Sequence, residues 1–363
     1  MSLLSVKEET TMSAKTPIFF NKYKDKGLTG LANVGNSCYL NSCMQILSHT
    51  YELNDFLEKG DYKKRLNKKP DSIILLEWDK LRELMWSNNC TVAPNGFVNV
   101  IKKIAKIKDR DLFTGYSQND IQEFLLFIID CFHNALAREV DMNITGNAMN
   151  DTDNLAKICY TMMQNMYKRE YSEILTIFYG IHVSEIISST TNKTVSYSPE
   201  PFSVLSLSLP ENNKSPTLYD CFDLYCKPEI LSEENGNAWF NDKTQKKENA
   251  LRSICFWNLP NIMIIDLKRW NGTRGKINTI VDAPLTNFDL SNYVKGYNSS
   301  TYVYDLYGVC NHGGGVLGGH YTAYIKNANG KWYEINDTNV SVINETKIIS
   351  AQSYCFFYRK RSL

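Results

Sequence analysis

The feature that most restricts this chain of 363 residues is a cysteine placed where a short Gly/Asn loop becomes a helix. It lies in Gly30-Leu31-Ala32-Asn33-Val34-Gly35-Asn36-Ser37-Cys38-Tyr39-Leu40-Asn41-Ser42. Beyond it, Leu40, Cys43, Met44 and Leu47 recur at three- and four-residue intervals, which predicts a helix with one apolar face toward a core. Asn36 or Ser37 is expected to cap its start. Cys38 then sits in the first turn, where unpaired N–H groups and the helix dipole favour an anion and lower a thiol's pKa. A lone cysteine there is ordinarily a buried structural residue. A histidine base and an orienting polar group elsewhere would change that reading.

Such groups occur far along the chain, in Asn311-His312-Gly313-Gly314-Gly315-Val316-Leu317-Gly318-Gly319-His320-Tyr321-Thr322-Ala323-Tyr324 and in Lys331-Trp332-Tyr333-Glu334-Ile335-Asn336-Asp337. The five glycines predict a mobile loop whose backbone approaches a ligand closely. Aromatic and β-branched runs flank Asn327-Ala328-Asn329-Gly330, the pattern of a hairpin. His320 starts one strand, and Asn336 and Asp337 end its neighbour. Side chains alternate along a strand, so only one of the pair shares a face with His320. If Lys326 opposes Lys331, that residue is Asp337; a shift by one residue selects Asn336, and the turn allows either parity.

These segments resemble the cysteine and histidine boxes of the ubiquitin-specific proteases, a papain-like class of deubiquitinases. Gln118-Asn119-Asp120-Ile121-Gln122-Glu123-Phe124-Leu125 is similar to that family's Gln-Gln-Asp-Ala-Gln-Glu-Phe-Leu motif. Leu259-Pro260, followed by Leu267-Lys268-Arg269-Trp270, resembles its Leu-Pro…Leu-Lys-Arg-Phe strand. The ordered matches run from about Gly27 to Arg359.

The resemblance implies hydrolysis of the bond at ubiquitin's C-terminal glycine, with Cys38 as nucleophile and His320 as base and then acid. It makes Asn336 the orienting group, Asp337 its support, and the Asn33 amide part of the oxyanion hole. It also implies substrate contacts at Asp120 and Glu123, which as acids at a helix start have an equally good structural reading. His312 is expected in a loop or against substrate, Gly318 and Gly319 along the channel for the Gly-Gly tail. Tyr321 and Trp332 are expected mainly to pack the hairpin, with any contact to substrate secondary. His49 and His133 fall in helical patterns and are expected to be structural.

The alternatives are a catalytically weak ubiquitin-binding module on the same fold, a protease for a ubiquitin-like modifier, and an unrelated papain-like peptidase.

Relatives commonly hold zinc at the fingertips in two Cys-x-x-Cys pairs. The corresponding positions here are Ser189, Asn192, Asn241 and Thr244, so no metal or other cofactor is expected.

Helical patterns come first, the clearest from Gln118 to Leu136, and strand-like runs follow Tyr179, which predicts an α+β architecture. The resemblance implies one catalytic domain over 23–363. Its parts would be a helical thumb (about 27–178), β fingers (about 181–258) and a β-sheet palm (about 259–362, with strands near 200–210). Residues 1–22 are polar and charged and are expected to form a tail.

A net charge of +1 offers no field to recruit nucleic acid or membrane. No run approaches the ~20 apolar residues of a bilayer span. No basic start with an apolar run suggests a secretory leader. The ten dispersed cysteines fit a reducing compartment, cytoplasmic or nuclear. The expected partners are ubiquitin and its conjugates, bound by a monomer.

Overall fold

In a computed structural model the described residues are 17–115, 119–211, 213–242, 244–270, 275–315 and 318–361. Pro17–Tyr23 forms a 3-10 helix, and the Tyr23 ring stacks on Tyr51 at 4.3 Å. Phe20 also packs on Tyr51 and Lys22 pairs with Asp55 at 2.8 Å, so the end of the segment expected as tail is bound to the body of the protein. Met1 to Thr16 lie outside the described residues.

The first half is helical around one small ladder. β1 (Gly30–Leu31) precedes α1 (Cys38–Ser48), α2 (Tyr51–Glu58) and α3 (Asp71–Ser87). β2 (Thr91–Val92) pairs in parallel with β1 and leads to α4 (Asn95–Ile107). Then follow α5 (Ile121–Leu136), α6 (Asp151–Glu170) and α7 (Glu173–Phe178). The helical pattern from Gln118 to Leu136 starts at Ile121, because Asp120 caps it by accepting the Gln122 N–H at 2.8 Å. Such a cap contributes about 1 kcal/mol. Gln118 itself is outside the described residues. Every residue of α1 is buried, so the single apolar face expected from its spacing is replaced by burial all round. The reason is position: α1 runs between the other helices and the sheet, and the amide nitrogens of Asn41 and Gln45 donate to backbone carbonyls.

Two sheets make the second half. β3 (Gly180–Ser188), β4 (Thr194–Phe202), β5 (Val204–Leu207), β6 (Glu229–Leu231), β7 (Trp239–Asn241), β8 (Lys246–Glu248) and β9 (Ala250–Asn258) come first. β10 (Ile262–Leu267), β11 (Phe288–Asp289), β12 (Val303–Gly315), β13 (Gly318–Lys326), β14 (Trp332–Asn336), β15 (Asn339–Ile343) and β16 (Ser353–Lys360) complete the set. The large sheet runs β15-β14-β13-β12-β16-β10-β5, with β11 beside β12. A smaller sheet runs β4-β3-β9-β6, and β7 and β8 form a separate hairpin.

One face of the large sheet packs on α1 and α5 through Ile264, Cys310, Ala323 and Phe357. The other face carries Ile265, Val309, Phe356 and Tyr358 against α8 (Leu218–Cys226). Covered on both faces, β10 is apolar almost throughout, with six buried residues in a row. The strand-like reading of 181–258 overlooks α8. Its start is a capping box between Thr217 and Asp220, and Leu218, Cys221 and Phe222 bury its inner side.

Candidate active site

β1 is set directly against the turn that follows β14. A Cβ on Gly30 would stand 2.3 Å from the Thr338 carbonyl oxygen, so no larger residue fits. The Leu31 N–H donates to the Asp337 carbonyl at 2.8 Å. The loop beyond is folded by Asn33, whose Oδ1 accepts the N–H groups of Gly35 and Ser37, both at 3.2 Å. Ser37, expected as a cap, makes no side-chain cap. Its hydroxyl turns back to accept the Val34 N–H at 3.0 Å, and Asn36 spends its place on a left-handed turn at φ 49°.

Cys38 is thus the first residue of α1 and is only 3% exposed. Burial pushes its thiol above the ordinary pKa, helped by the Asp337 carboxylate and opposed by the backbone amides of Tyr321, Tyr39 and Cys38. The lowering expected from the helix start alone is outweighed, because desolvation of the anion is the larger effect.

α1 packs on β12, β13 and β14, which brings the second motif to the same place. In the β13–β14 ladder Lys326 opposes Trp332 and Ile325 opposes Tyr333. This is the shifted register, and it puts His320 on the face of Asn336. His320 Nε2 lies 2.7 Å from Asn336 Oδ1. A carbonyl oxygen only accepts, so Nε2 carries the proton and Nδ1 is left as the basic nitrogen.

Asp337 points elsewhere, in a left-handed conformation at φ 49°. Its carboxylate accepts from Asn33 Nδ2 at 3.0 Å and from Asn41 Nδ2 at 2.7 Å. The structure therefore gathers Cys38, Asn33, His320, Asn336 and Asp337 around one junction between the helices and the sheet. It also adds Asn41, which the sequence flags only as an amide amid an apolar helix.

The remaining candidates divide. Asp120 spends both oxygens internally, one on the α5 cap and one on the Tyr354 hydroxyl at 2.6 Å. Glu123 is exposed in the first turn of α5. His312 is not a loop residue. It lies within β12, 4% exposed, its ring packed on Tyr321 (4.7 Å), Trp270 (5.7 Å) and Tyr354 (5.9 Å). Burial pushes its pKa down to about 4, so it is neutral at physiological pH. Its carbonyl accepts from Lys276, whose ammonium burial pushes down to about 8.

The glycine run also differs from the loop expected. Gly313 to Gly315 pair with Gly318 to His320 as a continuation of the hairpin, because glycines tolerate the close strand approach there. Val316 and Leu317 lie outside the described residues. A Cβ on Gly318 would meet nothing within 4 Å among the described residues, whereas one on Gly319 would stand 2.2 Å from His312 Nε2. Tyr321 is 6% exposed, so its side chain packs the core while its N–H addresses the Cys38 sulfur.

Ser189 and Asn192 lie at the β3–β4 turn. Asn241 ends β7, and with Thr244 it clasps one carboxylate: Glu248 accepts from Asn241 Nδ2 at 3.0 Å and from the Thr244 hydroxyl at 2.5 Å. Among the described residues no group of three or more His, Cys, Asp or Glu is placed to hold a metal ion.

Known proteins share both the pattern and the fold. The family model for ubiquitin carboxyl-terminal hydrolases (UCH) matches residues 29–358. The chain is 34% identical to ubiquitin carboxyl-terminal hydrolase Usp2 of Drosophila melanogaster, over 98% of this chain and 37% of that protein. It is 30% identical to ubiquitin carboxyl-terminal hydrolase 2 of Homo sapiens, over 94% of this chain and 56% of that one. The chain thus spans about a third to a half of these relatives' lengths. A probable ubiquitin carboxyl-terminal hydrolase of Acanthamoeba polyphaga mimivirus is 26% identical over 100% of this chain and 96% of its own. A chain of the SAGA Ubp8/Sgf11/Sus1/Sgf73 DUB module bound to ubiquitin aldehyde superposes with a TM-score of 0.71 at 23% identity. It covers 94% of this chain and 71% of the other. That likeness carries the fold: papain-like, with a helical thumb, a β-sheet palm and β fingers. With its motifs in order and the family model matched over most of its length, the chain belongs to the ubiquitin carboxyl-terminal hydrolase family.

Proposed function

We propose that this chain is a thiol-dependent hydrolase that cuts the peptide or isopeptide bond at the C-terminal glycine of ubiquitin. The observation that carries the reading is the hydrogen bond between His320 and Asn336, formed beside the start of the Cys38 helix. The fingers and palm would hold the body of ubiquitin, and its C-terminal tail would enter between thumb and palm.

In the first step the Cys38 sulfur attacks the glycine carbonyl while His320 Nδ1 accepts the thiol proton. The same nitrogen returns that proton to the leaving amine, releasing the modified protein and leaving a thioester on Cys38. Water, deprotonated by Nδ1, hydrolyses the thioester and restores the thiol. Asn336 keeps Nε2 protonated and the ring aimed, but as a neutral amide it stabilises the imidazolium less than a carboxylate would. Asn33 Nδ2 spends one hydrogen on Asp337 and has a second for the oxyanion. One such donor is worth roughly 3–4 kcal/mol of barrier in a comparable enzyme.

The test is reaction with ubiquitin bearing a C-terminal electrophile. The expected adduct is on Cys38, and Cys38→Ala should bind ubiquitin without reacting. An adduct on Cys43 or Cys310, or cleavage of ordinary peptides with indifference to ubiquitin, would overturn the assignment. Parallel assays with ubiquitin-like conjugates separate ubiquitin from its relatives as the preferred modifier.

A further inference from the structure

Asn41 stands one helical turn beyond Cys38 and is 2% exposed. Its Nδ2 is 2.7 Å from Asp337 Oδ1 and 3.3 Å from each of the Leu31 and Ala32 carbonyl oxygens. Three acceptors around one nitrogen fix which way the amide is turned. The consequence is on its other side, where Oδ1 is buried and has no hydrogen-bond partner among the described residues. A side chain present only to fill space would not need an amide, and this one leaves an acceptor unpaired. What the amide does is join three pieces of chain: the helix that carries Cys38, the loop that carries Asn33, and the turn that carries Asp337.

We infer that Asn41 is a positioning residue for the oxyanion hole, holding one oxygen of Asp337 so that the other stays on Asn33. The inference rests on the proposed roles of Cys38 and Asn33. With Asn41 Nδ2 on Oδ1 and Asn33 Nδ2 on Oδ2, the carboxylate is bracketed and cannot rotate. Asn33 Oδ1 is fixed independently by the Gly35 and Ser37 N–H groups. The Asn33 amide is therefore pinned at both ends, with one hydrogen left for the charge that develops during attack. Without Asn41 the carboxylate is free to turn, and the donor loses its aim before the reaction starts.

The experiment measures kcat and KM of the full chain on a fluorogenic ubiquitin substrate for Asn41→Ala, Asn33→Ala and the double variant. Asn41→Ala should lower kcat by about 10- to 100-fold with KM within about two-fold, because a misaimed donor costs rate rather than binding. The double variant should be no slower than Asn33→Ala beyond about two-fold, since both changes remove one function. Full multiplication of the two losses, or an effect confined to KM, would overturn the role of Asn41 while leaving that of Asn33 intact. A wild-type kcat in Asn33→Ala would overturn the oxyanion assignment and the inference with it.

Asn41→Asp keeps the shape and guards against a folding artefact. It places a carboxylate beside Asp337, and the two can hold together only by sharing a proton at lower pH. Its kcat, taken as a ratio to wild type at the same pH, should rise as pH falls. A ratio that stays flat would overturn the inference.

Discussion

Cys38 is held as a thiol by burial and by the Asp337 carboxylate, so its reactivity before substrate arrives should be low. Asp337→Asn removes a negative charge that disfavours the thiolate. The Cys38 pKa should therefore fall, and alkylation by iodoacetamide at a fixed neutral pH should become faster. An unchanged rate would show that the carboxylate has no electrostatic hold on the sulfur. Asn336→Ala should lower kcat and leave residual turnover, because a histidine without its orienting amide still accepts a proton. If the Asp337→Ala variant alone is crippled on saturating substrate, the support of Asn33 outweighs the aim of His320. That Cys38 opens a helix and that His320 and Asn336 lie on paired strands was legible in the loop, helix and hairpin signals around them, whereas the choice of Asn336 over Asp337 and the place of Asn33 came from the family resemblance. The partners of Asp120 and Asn41 were not legible. Asp120 reads equally as a cap and as a contact until Tyr354, from a strand 234 positions away, is seen to occupy its second oxygen.

Strand pairing decides which neighbour of a catalytic strand faces the histidine, and the Asn327-to-Gly330 turn allowed two answers from sequence. The ladder resolves them because Ala323, Ile325, Tyr333 and Ile335 must all face the helical core, which a slip of one residue would reverse. The glycine run departs from its sequence pattern for a related reason. Glycine density looks like a loop, yet opposed glycines can continue a ladder when the strands come close. The two terminal glycines are then unequal. Gly319→Ala must displace the His312 ring and should reduce turnover by 10-fold or more, by about the cost of a misplaced active-site strand. Gly318→Ala, whose added methyl meets nothing within 4 Å among the described residues, should stay close to wild type in the same assay. At the far tip, Glu248 holds Asn241 and Thr244, and those two hydrogen bonds lower its carboxyl pKa. The clasp is therefore present above the usual carboxylate range and lost as pH falls through the lowered value. Glu248→Ala should speed hydrogen exchange in the β7–β8 hairpin at neutral pH. A chelator should leave both that exchange and catalysis unchanged, and loss of activity in chelator would contradict a clasp made only of hydrogen bonds.

A concentrated device adds to the apolar core that joins helices and sheet. Arg359 on β16 donates to Glu52 Oε1 at 2.7 Å and to the His49 carbonyl at 2.9 Å, while its guanidinium lies over Phe20, Tyr51 and Tyr307. Arg359→Ala strands Glu52 and removes the plate between three rings. It should cost about 1–3 kcal/mol in urea denaturation, at or below the cost of breaking a buried ion pair because Arg359 and Glu52 keep 15% and 26% of their side chains exposed. A loss under about 0.5 kcal/mol would mean the rings repack without it. No periodicity announces such a clamp, because its partners are far apart in the chain and near only after folding. The order of the large sheet has a consequence for synthesis. β16, the last strand among the described residues, is not an edge but the seam between β10 and β12. A ribosome therefore delivers Cys38, then His320 and Asn336, before the strand that joins β10 to β12 exists. Until that seam is sewn, β12 to β15, with His320 and Asn336 on them, are not joined to β10 and β5, so Cys38 and its partners are assembled late.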